Sequence, residues 1–175
     1  MKQKEYITNS FKETRKLGEE IAEEILKKRF KNQVAFVIGL KGELGGGKTT
    51  FLQGFAKGLN IKEKILSPTF VIFKKFKIPA CIPFTTGSMA GRPACNVVAI
   101  AGRQKLNNNL YHFDCYRIKG QKDLLDLGFK EIISNQSNIV VIEWADKIKK
   151  IMPKNSIWIE FKVVNENKRK IIIKS

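Results

Sequence analysis

One octapeptide limits this chain more than any other feature: Gly42-Glu43-Leu44-Gly45-Gly46-Gly47-Lys48-Thr49, with Thr50 directly behind it. It fits G-x-x-x-x-G-K-[ST], the pattern of a phosphate-binding loop. The residue types follow from the task. Glycines let backbone N–H groups turn inward around a polyphosphate, where a side chain would block the approach. On this pattern Gly45, Gly46, Gly47, Lys48, Thr49 and Thr50 hold the phosphates. Lys48 reaches the β- and γ-phosphates, and the Thr49 hydroxyl is a ligand for Mg²⁺.

The flanking residues suit the motif. Val34 to Leu40 is an apolar run of strand length, and Phe51, Leu52, Phe55, Ala56 and Leu59 recur at helical spacing behind the loop. Strand, glycine loop and helix is the arrangement that presents an anion to a helix N-terminus. The expected ligand is therefore a nucleoside triphosphate, with Mg²⁺.

A second acid site stands downstream. Asn138-Ile139-Val140-Val141-Ile142-Glu143-Trp144 reads as a buried strand with a carboxylate at its C-terminal end. Open α/β sheets bind their ligands at that end. Such an acid either completes the Mg²⁺ shell or orients the attacking water, so Glu143 joins Thr49 as a candidate metal ligand. Leu110 to Arg117 is another strand, in which period two puts His112, Asp114 and Tyr116 on one face. A histidine and a carboxylate side by side make Asp114 a second candidate for the chemistry.

The remainder is a frame. Tyr6 to Thr8 reads as a first strand, and Ser10 with Glu13 as a capping box opening a helix. That helix carries Phe11, Leu17, Ile21, Ile25, Leu26 and Phe30 on one apolar face, and the residues around Ser10 and Phe11 are candidates for contact with a base. Ser67-Pro68-Thr69-Phe70 is a turn whose hydroxyls could face the γ-phosphate. Asp123 to Ile133 reads as a helix interrupted by Gly128, and Ile157–Val163 with Lys170–Ile173 as a closing hairpin. The chain of 175 residues is thus expected to be one α/β domain, a central sheet flanked by helices with a C-terminal β-hairpin.

One segment does not belong to that frame. Ile78 to Asn109 has no acidic residue, three prolines, three glycines and two of the three cysteines, and reads as an insertion in a hairpin.

Composition restricts the setting. The three cysteines are odd in number and lack C-x-x-C spacing, there is no membrane-length apolar run, and the N-terminus has no signal-peptide core. These point to a reducing cytoplasm and no membrane. A net charge of +17, from 33 basic and 16 acidic residues, suits contact with a polyanion such as tRNA. A lysine-rich proteome produces the same balance, and the basic residues are spread along the chain rather than gathered in a patch.

Taken together, the motifs resemble the TsaE (YjeE) family, the ATPase of bacterial tRNA threonylcarbamoyladenosine biosynthesis. The resemblance rests on Gly42–Thr50, Ser67–Phe70, the Tyr111-His112-Phe113-Asp114 strand with Tyr116-Arg117, and Ile142-Glu143-Trp144, in that order. It implies a P-loop NTPase-like fold and slow ATP hydrolysis that supports tRNA modification with a TsaD-like transferase and a TsaB-like scaffold. It also implies that Thr49 and Glu143 hold Mg²⁺, that Asp114 acts near the γ-phosphate, and that Ser67–Thr69 senses the nucleotide. Arg169 and Phe11 are further candidates for nucleotide contact. The departure from the family is the segment 78–109. Two rivals share the loop: a small-molecule or nucleotide kinase, disfavoured by the lack of an arginine cluster behind the loop helix, and a non-hydrolysing nucleotide switch.

Overall fold

The computed structural model describes residues 3–28, 34–66, 72–79 and 108–174. Its frame is a single seven-stranded sheet in the order β1-β7-β6-β2-β5-β4-β3. These strands are β1 (Gln3–Thr8), β2 (Phe36–Gly42), β3 (Phe73–Lys77), β4 (Asn109–Asp114), β5 (Asn138–Glu143), β6 (Ile157–Val163) and β7 (Arg169–Lys174). The central four, β6, β2, β5 and β4, are mutually parallel, and antiparallel strands close both edges. Parallel strands covered on both faces must be apolar throughout, and all six residues of β5 are buried.

Two cores result. On one face α1 (Phe11–Lys28) and α2 (Lys48–Gly58) cover the sheet, bringing Leu17, Ile21, Phe51 and Phe55 onto Ile38, Val141, Ile159 and Ile171. On the other, α3 (Gln121–Leu125), α4 (Phe129–Ser134) and a 3₁₀ segment over Ala145–Ile151 pack Leu124, Phe129 and Ile148 onto Val37, Phe113, Val140 and Ile142. The helix expected over 123–133 is thus two short ones. Gly128 stands between them at φ 76°, a left-handed turn that ends the first and starts the second.

α1 and α2 touch backbone to backbone. A methyl group at Gly18 would lie 2.1 Å from the Phe51 carbonyl oxygen, and one at Gly54 only 1.8 Å from that of Arg15. The rim of this seam is tied by Arg15 to Gln53 at 2.7 Å and by Lys57 to Glu19 at 2.9 Å.

The capping box forms with one change. Ser10 Oγ accepts from the Glu13 N–H at 3.2 Å, but the Glu13 carboxylate reaches one residue further back than expected, to the N–H of Asn9 at 2.8 Å. Phe11 departs from the apolar face assigned to it: at the first position of α1 it overhangs the packed layer and is 62% exposed. Phe30 and Ser67–Phe70 fall outside the described residues, as does most of the segment 78–109. The pairing of β3 with β4 runs from Phe73↔Phe113 to Lys77↔Asn109, and Ile78 N–H adds a bond to the Asn108 carbonyl at 2.9 Å. Ile78 is itself buried.

Candidate nucleotide site

The phosphate loop follows β2 and leads into α2. Gly45 and Gly47 take φ values of 72° and 97°, which only glycine adopts without strain, and Gly47 caps α2 with no side chain over its first N–H groups. Those donors are left for an anion, as at other helix N-termini.

Lys48 is buried and folded back on the loop. Its ammonium donates to the carbonyls of Gly42 at 2.8 Å and Glu43 at 2.7 Å, and lies 3.9 Å from the centre of the Trp144 ring. Burial pushes its pKa below the ordinary 10.5, against the pull of the Glu143, Asp114 and Asp146 carboxylates. Trp144 is set over Lys48 by an unusual backbone. It sits at φ 59°, ψ 39°, left-handed for a bulky residue, where strain of about 1–3 kcal/mol is usual. Tyr116 packs against it at 5.1 Å between ring centres.

Thr49 and Glu143 meet. The hydroxyl on the first turn of α2 donates to both oxygens of the carboxylate closing β5, at 3.1 Å to Oε1 and 2.9 Å to Oε2. Two hard oxygen donors at the phosphate loop suit Mg²⁺, which takes one or two protein ligands and fills its shell with phosphates and water. Among the described residues no group of three or more His, Cys, Asp or Glu is gathered to hold a metal.

Parallel register sets Asp114 beside Glu143 at the ends of β4 and β5. Its Oδ1 accepts from the Tyr116 N–H at 3.0 Å, and the side chain is half-buried. His112 shares a face of β4 with Asp114, and its Nε2 lies 3.0 Å from Glu143 Oε1, with both side chains buried. Asp114 stands at the open end of the strand, whereas His112 lies two residues deeper and reaches sideways to β5.

The remaining candidates ring the loop. Arg169 Nη2 donates to the Gly45 carbonyl at 3.2 Å, and Nη1 to the carbonyls of Asn165 and Glu166. Gly46 is buried and Thr50 half-buried on the first turn of α2. The buried Thr14 lies one turn along α1 from Phe11, with its methyl 3.6 Å from where a Gly47 Cβ would stand and its Oγ1 2.8 Å from that of Thr8. The exposed ring of Phe11 therefore opens the helix that borders the loop. Sequence reasoning missed Trp144 and Asp146 as neighbours of Lys48. Trp144 entered only as part of the Ile142-Glu143-Trp144 motif, and Asp146 had no signal beyond its place three residues after Glu143.

Comparison with known proteins agrees with this geometry. The family model described as "Threonylcarbamoyl adenosine biosynthesis protein TsaE" matches residues 8–84 and 97–171. A Rickettsia typhi protein named tRNA threonylcarbamoyladenosine biosynthesis protein TsaE is 31% identical over 139 residues, 79% of this chain and 76% of its own. The Bacillus subtilis protein of that name is 32% identical over 135 residues, 77% of this chain and 66% of its own. Among solved structures, Bacillus subtilis YdiB superposes with a TM-score of 0.64 at 26% identity, covering 98% of this chain and 84% of that one.

Proposed function

The chain belongs to the TsaE family of threonylcarbamoyl adenosine biosynthesis proteins, and from that premise we propose that it hydrolyses Mg²⁺-bound ATP in support of tRNA modification. The observation that carries the reading is the contact of Thr49 with Glu143 at the mouth of a glycine loop whose lysine is already buried. Thr49 and Glu143 would hold Mg²⁺, which when bound offsets negative charge on the β- and γ-phosphates.

The chain's own residues supply the rest. The loop N–H groups and the open first turn of α2 bind the phosphates. Lys48 exchanges the Gly42 and Glu43 carbonyls for phosphate oxygens, which return to its ammonium the favourable charge that burial withholds. Asp114, beside Glu143 and within electrostatic reach of Lys48, orients the attacking water. Trp144 closes over Lys48 and keeps bulk water from it. Arg169 braces the loop through the Gly45 carbonyl, and the Phe11 ring offers an apolar face to the base.

A TsaD-like transferase and a TsaB-like scaffold are the proposed partners, in the cytoplasm. Among the described residues no helix is long and apolar enough to cross a membrane. The test is ATP turnover by the chain alone and with those two proteins from the same organism. Slow turnover that accelerates with them is the expected result, and brisk turnover indifferent to them would refute the partnership.

The chain is also read as one nucleotide-binding domain interrupted within the β3–β4 hairpin. The family model leaves residues 85–96 unmatched inside that interruption. Excising residues 80–107 and closing the hairpin with a short turn should leave ATP affinity within about 2-fold, because closure cost changes slowly with loop length.

A further inference from the structure

We propose that His112 is a positioning residue for Glu143: its Nε2–H holds the carboxylate in the orientation that the metal requires. The inference rests on the reading of Glu143 as a Mg²⁺ ligand.

The two side chains are 0% and 3% exposed, and Nε2 lies 3.0 Å from Oε1. A carboxylate only accepts, so this bond requires a proton on Nε2. Nδ1 is buried and has no hydrogen-bond partner among the described residues. An unmet buried polar atom opposes folding. Leu110 stands two residues earlier on the same face of β4, with Val141 across the register on β5 and Lys74 across it on β3. The imidazole is explained by its other nitrogen, which points at the one carboxylate of the site that the sheet buries completely.

Loading the site makes that bond decisive. The Glu143 side chain has two hydrogen-bond partners among the described residues, Thr49 and His112. When the Thr49 oxygen ligates a metal, its O–H can no longer occupy both carboxylate oxygens. His112 then remains as the donor that fixes the carboxylate plane, with Oε1 held from within the sheet and Oε2 toward the loop. Outer hydrogen bonds of this kind typically set metal affinity by 10–100-fold.

His112 is the single histidine of the chain, so its ring nitrogens can be observed without assignment ambiguity. The experiment uses the full chain with ADP and Mg²⁺ as probes, comparing wild type, His112→Leu, His112→Gln and Glu143→Gln by calorimetry. His112→Leu should raise the Mg²⁺ concentration needed for tight ADP binding by about 10-fold or more. Its ADP affinity in EDTA should stay within about 2-fold of wild type. His112→Gln, whose amide N–H can stand where Nε2 stands, should recover the Mg²⁺ dependence to within about 3-fold. ¹⁵N spectra of the wild-type imidazole should show the Nε2–H tautomer, with a signal that moves on adding Mg²⁺ to the ADP complex.

A wild-type Mg²⁺ dependence in His112→Leu overturns the proposal, as does a glutamine variant no better than leucine. Should the leucine variant fail to fold, the glutamine variant and the spectra decide, and an Nδ1–H tautomer or a signal blind to Mg²⁺ overturns it. A Glu143→Gln variant with unchanged Mg²⁺ dependence sinks the metal reading itself. A defect in Glu143→Gln without one in His112→Leu sinks the positioning role alone.

Discussion

Thr49 and Glu143 are 94 residues apart in sequence, yet the threonine hydroxyl donates to both oxygens of the glutamate, at 3.1 and 2.9 Å. The contact ties the first turn of α2 to the last residue of β5. It also separates the two acids of the site, since Glu143 is locked at the loop while Asp114 stands at the open strand end beside it.

Exchanging the acids should therefore have different consequences. Glu143→Gln keeps the shape and an acceptor for Thr49 but removes the charge, and should weaken the Mg²⁺ dependence of ATP binding about 10-fold. Asp114→Asn should keep ATP affinity and lower partner-stimulated turnover by ~10² or more. Mg²⁺-dependent ATP titrations beside hydrolysis rates check both. Lost affinity in Asp114→Asn, with Glu143→Gln intact in affinity and Mg²⁺ dependence, would exchange the roles.

Lys48→Ala removes the ammonium nearest the phosphates. Charge-assisted hydrogen bonds contribute about 1.5–3 kcal/mol each, so ATP affinity should fall by about 10²-fold. Calorimetric titration of the purified variant measures this, and a loss of only a few-fold would refute the phosphate-loop assignment.

Gly54→Val tests the seam between α1 and α2. On an exposed helix, replacing glycine by almost any residue gains up to about 1 kcal/mol. Here the new Cβ would meet the Arg15 carbonyl oxygen at 1.8 Å, and backbone cannot give way as a side chain tip can. The expected outcome is destabilisation by about 3 kcal/mol or more, read by urea unfolding, together with weakened ATP binding. A variant as stable as wild type would mean that the helices do not approach this closely.

Glu160 governs part of the acid limb of stability. It lies on β6 with Lys41 at 3.1 Å and Lys162 at 3.6 Å. The Lys41 hydrogen bond, more than any other influence, holds its carboxyl below the ordinary 4.5. A carboxylate lowered in the fold contributes stability that is fully present above its unfolded value and lost as pH falls through the folded one. Glu160→Gln should cost about 0.5–1 kcal/mol at pH 7, and the difference should begin to shrink near pH 4.5 and vanish once the pH has fallen through the lower folded value. Urea unfolding of both proteins between pH 7 and pH 3 checks it, and a difference that persists at the acid end contradicts the assignment.

Local chemistry made much of the site legible in advance. Glycine, lysine and threonine at fixed offsets specify a loop, and a run of β-formers ending in an acid specifies a buried strand with its carboxylate at the rim. What depends on register between strands was not legible. Period two joins His112 to Asp114 within β4, but only the alignment of β4 with β5 reveals that the imidazole reaches Glu143. The helix pattern likewise assigned Phe11 to an apolar face, because spacing cannot tell where the layer beneath a helix ends. Trp144 carried no signal for its place over Lys48, since a left-handed bulky residue is a product of packing rather than of propensity.

The β3–β4 hairpin has a bearing on how such a chain can change over time. β4 runs from Asn109 to Asp114, so its outer and chemical ends are separated by a full strand, about 16 Å at the usual rise per residue. Lys77 and Asn109 pair at the far end, on the rim opposite the phosphate loop. Lengthening or shortening the chain beyond that pair therefore changes residues attached a strand's length away from Asp114 and from the bond between Thr49 and Glu143.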